Sequence, residues 1–348
     1  MIGKKMIFVL MGFMVIAFLT ACRRNTPPVD NPPGHPQDDT HWKWKQLGFE
    51  NGSVEKVQVT SDGRVFALSG GKLHLLEGGN WKAAHLDTDI STFYLSEKGV
   101  KGLIVAGGFD GKLYLYSIED SSWNVVEIGA IPEPIDIVTA SPSTGEIYVG
   151  QSSKYGGGLW RGTGGGAKWE KLTDITVRGI AVHPEDPEII YMVDKVTYLS
   201  TDGGKSWAKV ETGANYGVLI HPLYPETAYL AYAQGVVSAR HDGTITSQQQ
   251  FYLPGGMTRL EFNPASLNEW ALGLWDYPSG VGGLYYSFNG GGHWLEVGEK
   301  MKDTRILDLC FDKDGKTLYM GTADNGLWAL NVEELKKDSK ITRCSVME

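Results

Sequence analysis

The sequence predicts an all-β fold, a single seven-bladed β-propeller with four-stranded antiparallel blades. Three observations carry this. Four short β-prone runs recur together at a spacing of about 40 residues, the length of one blade. Glycine is very frequent, with 45 residues, aromatics make up 11 %, and helical periodicity is scarce. A strand-like segment also stands ahead of the first copy, where the last copy lacks its fourth strand.

The clearest copy reads Ile180-Ala181-Val182-His183-Pro184, then Ile189-Ile190-Tyr191-Met192, Thr197-Tyr198-Leu199-Ser200 and Trp207-Ala208-Lys209-Val210. The order recurs from Leu260, with Trp270-Ala271-Leu272, Leu284-Tyr285-Tyr286-Ser287 and Trp294-Leu295-Glu296-Val297. Further copies begin at Ile137, Val218 and Leu309, and weaker ones near Val57 and Phe93. The strands read as mostly apolar runs, as in sheets covered on both faces. The segment Trp42-Lys43-Trp44-Lys45-Gln46-Leu47 resembles the fourth strands and is expected to pair into the last blade, protecting edges that would otherwise be open. An open solenoid is the alternative; its repeats are shorter and need no such complement.

Ser200-Thr201-Asp202-Gly203-Gly204-Lys205-Ser206-Trp207 has the pattern Ser-x-Asp-x-Gly-x-x-Trp. Ser287-Phe288-Asn289-Gly290-Gly291-Gly292-His293-Trp294 repeats it with Asn for Asp, and a degraded copy ends at Trp169. The glycines suit a tight hairpin with positive φ, the Asp suits turn amides, and the Trp suits burial between blades. Ser200, Asp202, Gly204, Trp207, Ser287, Asn289, Gly291, Trp294 and Trp169 are therefore read as structural. On these motifs the chain resembles the Asp-box (BNR-repeat) propellers, which include sialidases, family 74 xyloglucan hydrolases, sortilin-like receptor domains and the photosystem II assembly factor. The resemblance implies that the Asp-boxes join third and fourth strands and lie opposite the usual binding face. It does not imply one activity, because one scaffold hosts many.

The N-terminus has Lys4 and Lys5, an apolar run from Met6 to Leu19, then Leu19-Thr20-Ala21-Cys22. This order matches a secretory signal peptide, and the run is short for a membrane span. The last four residues resemble a bacterial lipobox, which implies cleavage before Cys22 and its lipidation. Residues 22–40 hold five prolines and little apolar surface, and read as a tether. The expected organisation is a signal peptide over 1–21, the lipidated Cys22 and tether over 22–40, the propeller over 41–335 and a tail over 336–348. The chain is then an extracytoplasmic lipoprotein anchored to a bacterial membrane. In that setting Cys310 and Cys344 either form a disulfide or leave a buried free Cys310 beside a loose tail.

A net charge of −9 argues against a nucleic-acid partner. No His/Cys cluster has metal spacing and no cofactor motif occurs, so neither group is expected. A sialidase likeness would imply an arginine triad and an Arg-Ile-Pro motif, and the latter is absent. Arg178, Arg259 and Arg305 fall near the starts of first strands at differing offsets. Glu55, Asp136, Asp276 and Asp308 are candidate carboxylates for the same face, without a pairing that glycoside hydrolysis would require. No catalytic residue is assigned. Ligand contacts are expected from two extended loops carrying Tyr155 and Trp275, Asp276 and Tyr277, unless the aromatics pack over the blade edge. The starts of the first strands add Glu55, Asp136, Arg178 and Tyr216. The expected function is non-catalytic binding or scaffolding, with an envelope protein or glycan as ligand; a carbohydrate-active enzyme is the alternative.

Overall fold

Seven four-stranded antiparallel sheets make up the fold, and six are built from four consecutive strands each. The seventh joins the three last strands to the N-terminal strand Trp44–Gly48, which pairs antiparallel with Leu327–Asn331. The chain is therefore a closed seven-bladed propeller, with the ring sealed as its sequence predicts. This computed structural model describes residues 44–96, 103–128, 134–151, 157–210, 215–232, 235–251, 256–275, 279–297, 301 and 303–337. All of these belong to one compact unit, Asp39–Glu348. Trp42, Lys43, the expected signal and tether with Cys22, and Cys344 lie outside the described residues.

Blades 1 to 7 begin with the strands Lys56–Val59, Ile90–Ser96, Ile137–Ala140, Gly179–Val182, Asn215–His221, Gly256–Phe262 and Ile306–Phe311. Each first strand touches the next, and that of blade 7 touches that of blade 1, so the seven surround a central channel. The core is divided among the seams. Each buried apolar cluster combines residues of two successive blades, for example Tyr148 and Leu159 with Ile190 and Met192 between blades 3 and 4. The seam between blades 7 and 1 contains Leu327, Val54, Val57 and Trp81. Trp81 also donates from Nε1 to the carbonyl of Leu47 in the closing strand (2.6 Å).

The two complete hairpin motifs have the geometry their residue types demand. Ser200 Oγ accepts from Gly204 N (2.8 Å) and donates to Asp202 Oδ1 (2.8 Å), while Asp202 Oδ1 also accepts from Ser206 N (2.9 Å). These bonds, led by the Ser206 hydroxyl, hold the Asp202 carboxyl down at about 2. Ser287 and Asn289 repeat the arrangement with Gly291 N and His293 N. Gly204 has φ +88°, which strains any other residue, and a Cβ there would also have to displace the Leu172 Cδ1 methyl of blade 3, 2.7 Å away. Trp207 and Trp294 pack into the seams behind blades 4 and 6. In the degraded copy Trp169 is held by its own turn, donating to Gly166 O (2.8 Å).

Side chains of the first strands also stitch neighbouring blades. Asp308 Oδ2 in blade 7 accepts from Val57 N in blade 1 (2.9 Å), and Gln58 Oε1 in blade 1 accepts from Leu95 N in blade 2 (2.7 Å). Ser91 in blade 2 donates to the carbonyl of Ile135 before blade 3. The turns leaving the first strands have their own rule. Ser141, His183, His221 and Asn263 each precede proline, and each side chain accepts from backbone N–H groups of the turn. His221 additionally directs Nε2 at the carbonyls of Asn263 and Ser266 in blade 6 (3.1 and 3.2 Å), so Nε2 carries its proton and Nδ1 accepts.

One element was not foreseen. A short helix, Val332–Lys336, follows the last strand. Asn331 caps it by accepting from Glu334 N, acidic residues occupy its first turn, and Val332 and Leu335 are buried against the seam between blades 6 and 7. Lys336 reaches the buried Glu269 of blade 6 (3.1 Å), whose other oxygen accepts from Tyr286 and Asn263. Five residues are too few for helical periodicity to show in the sequence.

Two outcomes follow from the stitching. Asp308→Ala leaves Val57 N–H buried without an acceptor and should cost about 2 kcal/mol, with Asp308→Asn costing less; the shift in denaturant midpoint at constant slope measures both. Burial lowers the pKa of His183 and His221 below the ordinary 6.5, with the nearby His241 ring lowering His183 further. The folded chain thus favours their neutral forms. Stability from this source is complete above pH 6.5 and is lost as pH falls below it. The thermal midpoint should drop on acidification from pH 7 to 5, and His183→Asn, which keeps an acceptor as Asn263 does, should drop less.

Candidate binding site at the channel mouth

The first strands present one residue per blade at equivalent depth, fixed by pairing with the second strands. Lys56, Thr92, Ile137, Gly179, Gly217, Arg259 and Asp308 lie opposite Leu68, Gly107, Gly150, Val193, Ala231, Gly273 and Gly321. One step towards the mouth, the N–H groups of Glu55, Asp136 and Arg178 bond to the carbonyls of Leu68, Gly150 and Val193. These three candidate rim residues therefore occupy matching positions in blades 1, 3 and 4, and all are exposed. Tyr216 lies in the first strand of blade 5, next to a register shift.

That shift recurs in blades 2, 6 and 7, where a β-bulge precedes Thr92, Arg259 and Asp308. The extra residue explains the differing offsets of the arginines. Arg178 stands at the rim, Arg259 one level deeper beside Asp308, and Arg305 ahead of the strand on the exposed surface. The three do not form one equivalent set.

A cavity of about 380 Å3 opens here, lined by charged and polar Lys56, Gln58, Asp136, Thr139, Arg178 and Arg259 among others. Ile137, Gly179, Ile180, Gly217 and Leu219 also line it. Arg178 Nε sits 3.5 Å from Asp194. Arg259 bridges two carboxylates, with Nε 3.1 Å from Asp308 and Nη2 3.6 Å from Glu261. Arg259 keeps 42 % of its side chain and Glu261 26 % on the channel, against 6 % for Asp308.

Enclosure by the ring shifts these groups. Desolvation raises Glu261 to about 7; the Arg259 charge opposes this and Asp308 adds to it. Burial lowers Lys56 to about 8, with Asp308 opposing and Arg259 adding. Cys310 is a free thiol in this ring, its pKa pushed up by burial and by the Glu261 and Asp308 charges. Asp308 has both oxygens engaged, by Arg259 and by Val57 N, and so acts as a fixed inter-blade staple.

Of the loop candidates, Tyr155, Asp276 and Tyr277 lie outside the described residues. Trp275 is half-buried and pairs with Gly282 across its own hairpin; a Cβ at Gly282 would lie 2.9 Å from its ring. The ring thus packs over the hairpin backbone. Sequence reasoning missed Lys56 and Glu261, although both alternate with apolar neighbours in strands that are otherwise apolar, in Lys56-Val57-Gln58-Val59 and Arg259-Leu260-Glu261-Phe262. It also missed Phe109, which is 55 % exposed in the second-to-third-strand turn of blade 2.

No family model matches the chain, and no curated protein matches it. Solved structures with the same fold do. A chain of the mitotic checkpoint complex is 14 % identical over 92 % of this chain and 99 % of its own, with a TM-score of 0.65. The GH74 xyloglucanase of Xanthomonas campestris is 15 % identical over 84 % of this chain and 54 % of the enzyme, with a TM-score of 0.68. YCF48 from Cyanidioschyzon merolae is 14 % identical over 83 % of this chain and 99 % of its own, with a TM-score of 0.63. YCF48 bound to D1 peptide gives a similar score of 0.64 at 13 % identity. At these identities the likeness is one of fold.

Proposed function

We propose that this chain is a non-catalytic binding or scaffolding propeller of the Asp-box type. It is held outside the cytoplasm by lipid on Cys22 and receives a segment of an envelope protein or glycan at the channel mouth. The carrying observation is the cavity ringed by Lys56, Arg259, Asp136 and Arg178, with apolar Ile137, Ile180 and Leu219 among its lining. Such a site offers hydrogen-bond partners of both signs and a dry contact surface, which suits recognition. The peptide-bound state of YCF48 supports a protein ligand on this fold.

One observation favours the alternative, a carbohydrate-active enzyme. Glu261, raised to about 7, shares the Arg259 guanidinium with Asp308, and an acid beside a carboxylate is the pairing glycoside hydrolysis uses. Against it, both Asp308 oxygens are tied into the fold.

Crosslinking in intact cells followed by partner identification tests the proposal. The wild type should capture a defined partner, and Asp136→Ala with Arg178→Ala should reduce capture by about tenfold, equivalent to 1.4 kcal/mol. Cys22→Ser should shift the protein out of the membrane fraction. Hydrolysis of a glycoside panel that Glu261→Gln abolishes would replace this reading with the enzymatic one.

A further inference from the structure

The geometry of the inner ring points to a bound carboxylate: we infer that Lys56, with Arg259 near it, holds the carboxylate of a monoanionic ligand inside the channel cavity. This rests on the channel-mouth reading and names the ligand chemistry of that site.

Lys56 has two direct partners, and both come from blade 2. Its Nζ donates to Thr92 Oγ1 (3.2 Å) and stands 5.9 Å from the centre of the Phe93 ring. Both groups are neutral, so neither compensates the ammonium. The carboxylate whose charge acts on Lys56 is Asp308, which is already held by Arg259 and by Val57 N. Burial pushes the Glu261 carboxyl up to about 7, which weakens its negative charge at neutral pH. The inner ring thus holds two cations, Lys56 and Arg259, against one committed carboxylate and a partly protonated one. Among the described residues Lys56 forms no ion pair of its own, and a low-dielectric channel strengthens its attraction for an incoming anion.

The rim selects among anions. Glu55 and Asp136 stand exposed at the mouth, and Arg178 is matched by Asp194. A dianion entering past these carboxylates is repelled more than a monoanion, and they can accept from N–H or O–H groups elsewhere on the ligand. Blades 3, 4 and 5 line the cavity with Ile137, Ile180 and Leu219 and the bare backbone of Gly179 and Gly217, beside polar Thr139. This lining suits an apolar or carbon-rich body behind the charged group. A cavity of about 380 Å3 matches a single sugar acid or amino-acid side chain rather than a long polymer segment.

The test uses the full-length protein in detergent, titrated calorimetrically with propionate and glucuronate, with the matching amides, and with phosphate and sulfate. Saturable binding of the carboxylates and weak or no binding of the amides and dianions is expected. Lys56→Gln should weaken carboxylate binding about tenfold or more, while Lys56→Arg should largely restore it. Near pH 8 carboxylate binding should take up protons from the buffer, because a bound anion restores the Lys56 charge, and Lys56→Gln should abolish that uptake. Thermal melting checks that the variants fold. The inference is overturned by an absence of saturable carboxylate binding, by phosphate or sulfate binding as tightly, or by a Lys56→Gln protein that binds unchanged. Should Lys56→Gln still capture the cellular partner like wild type, the binding role survives and this ligand assignment fails; absence of any captured partner removes the binding role itself.

Discussion

Closure of the ring is the constraint on which everything else depends. Every buried cluster spans two blades, so no blade can complete its core alone. In a ring of this kind each seam is supported by the next, and the last seam exists only if the chain's first strand returns to its final sheet. Pairing of Trp44, Lys45 and Gln46 with Leu330, Ala329 and Trp328 supplies that return. The connection links residues nearly the whole chain apart. Its loop-closure cost is large but grows only slowly with length, and it covers the open edge of Leu327–Asn331 in return. Trp81 of blade 1 then locks onto Leu47, so the closing strand is gripped by the blades on both of its sides.

Closure also explains why charge is concentrated where it is. Asp308 is almost wholly buried, yet it sits on the blade adjoining the closing seam and bonds to blades 6 and 1 at once. A backbone N–H at an inner strand has no partner within its own blade when it faces the neighbouring blade, and a side chain from that neighbour is the available acceptor. Gln58 does the same for blade 2, and Ser91 donates its hydroxyl to the Ile135 carbonyl ahead of blade 3. Across the ring, at blades 4 and 5, the equivalent positions are Gly179 and Gly217. There a Cβ on Gly179 would lie in ordinary contact, 3.5 Å from Gly217 Cα, and one on Gly217 would meet open space, so the two glycines leave this side of the channel without side chains.

Much of the fold was legible because its signals are local. Hairpin glycines, the Ser-x-Asp-x-Gly-x-x-Trp spacing and the recurrence of four apolar runs each act within a few residues of where they are written. The missing fourth strand of the last copy was legible too, since Trp44-Lys45-Gln46-Leu47 reads like the other fourth strands. The site was less so. Glu55, Asp136 and Arg178 were found because their blades have regular registers. Arg259 and Asp308 were seen as candidates but not as a pair, because a bulge in each strand shifts them one level deeper, and a bulge leaves no mark in composition. Lys56 and Glu261 were passed over because a charged residue between apolar ones reads as a solvated face, and only the ring shows that this face is the channel. The helix Val332–Lys336 has a capping asparagine and an acidic first turn but too little length to announce itself.

The two halves of the channel therefore have different origins and different uses. Blades 6, 7, 1 and 2 contribute Arg259, Asp308, Lys56 and Thr92 at one level, and blades 3, 4 and 5 contribute Ile137, Gly179 and Gly217. A propeller needs only packing and backbone satisfaction at this depth, and the glycine-lined half meets that need without charge. Asp308 and Arg259 are accounted for in the other half by the staple they form. Lys56 is not: its direct partners, Thr92 and the Phe93 ring, carry no charge, and burial depresses its pKa to about 8 although Asp308 opposes this, at a cost in folding stability. A residue that opposes its own environment in this way, on the wall of a cavity, is where a fold serves something other than itself.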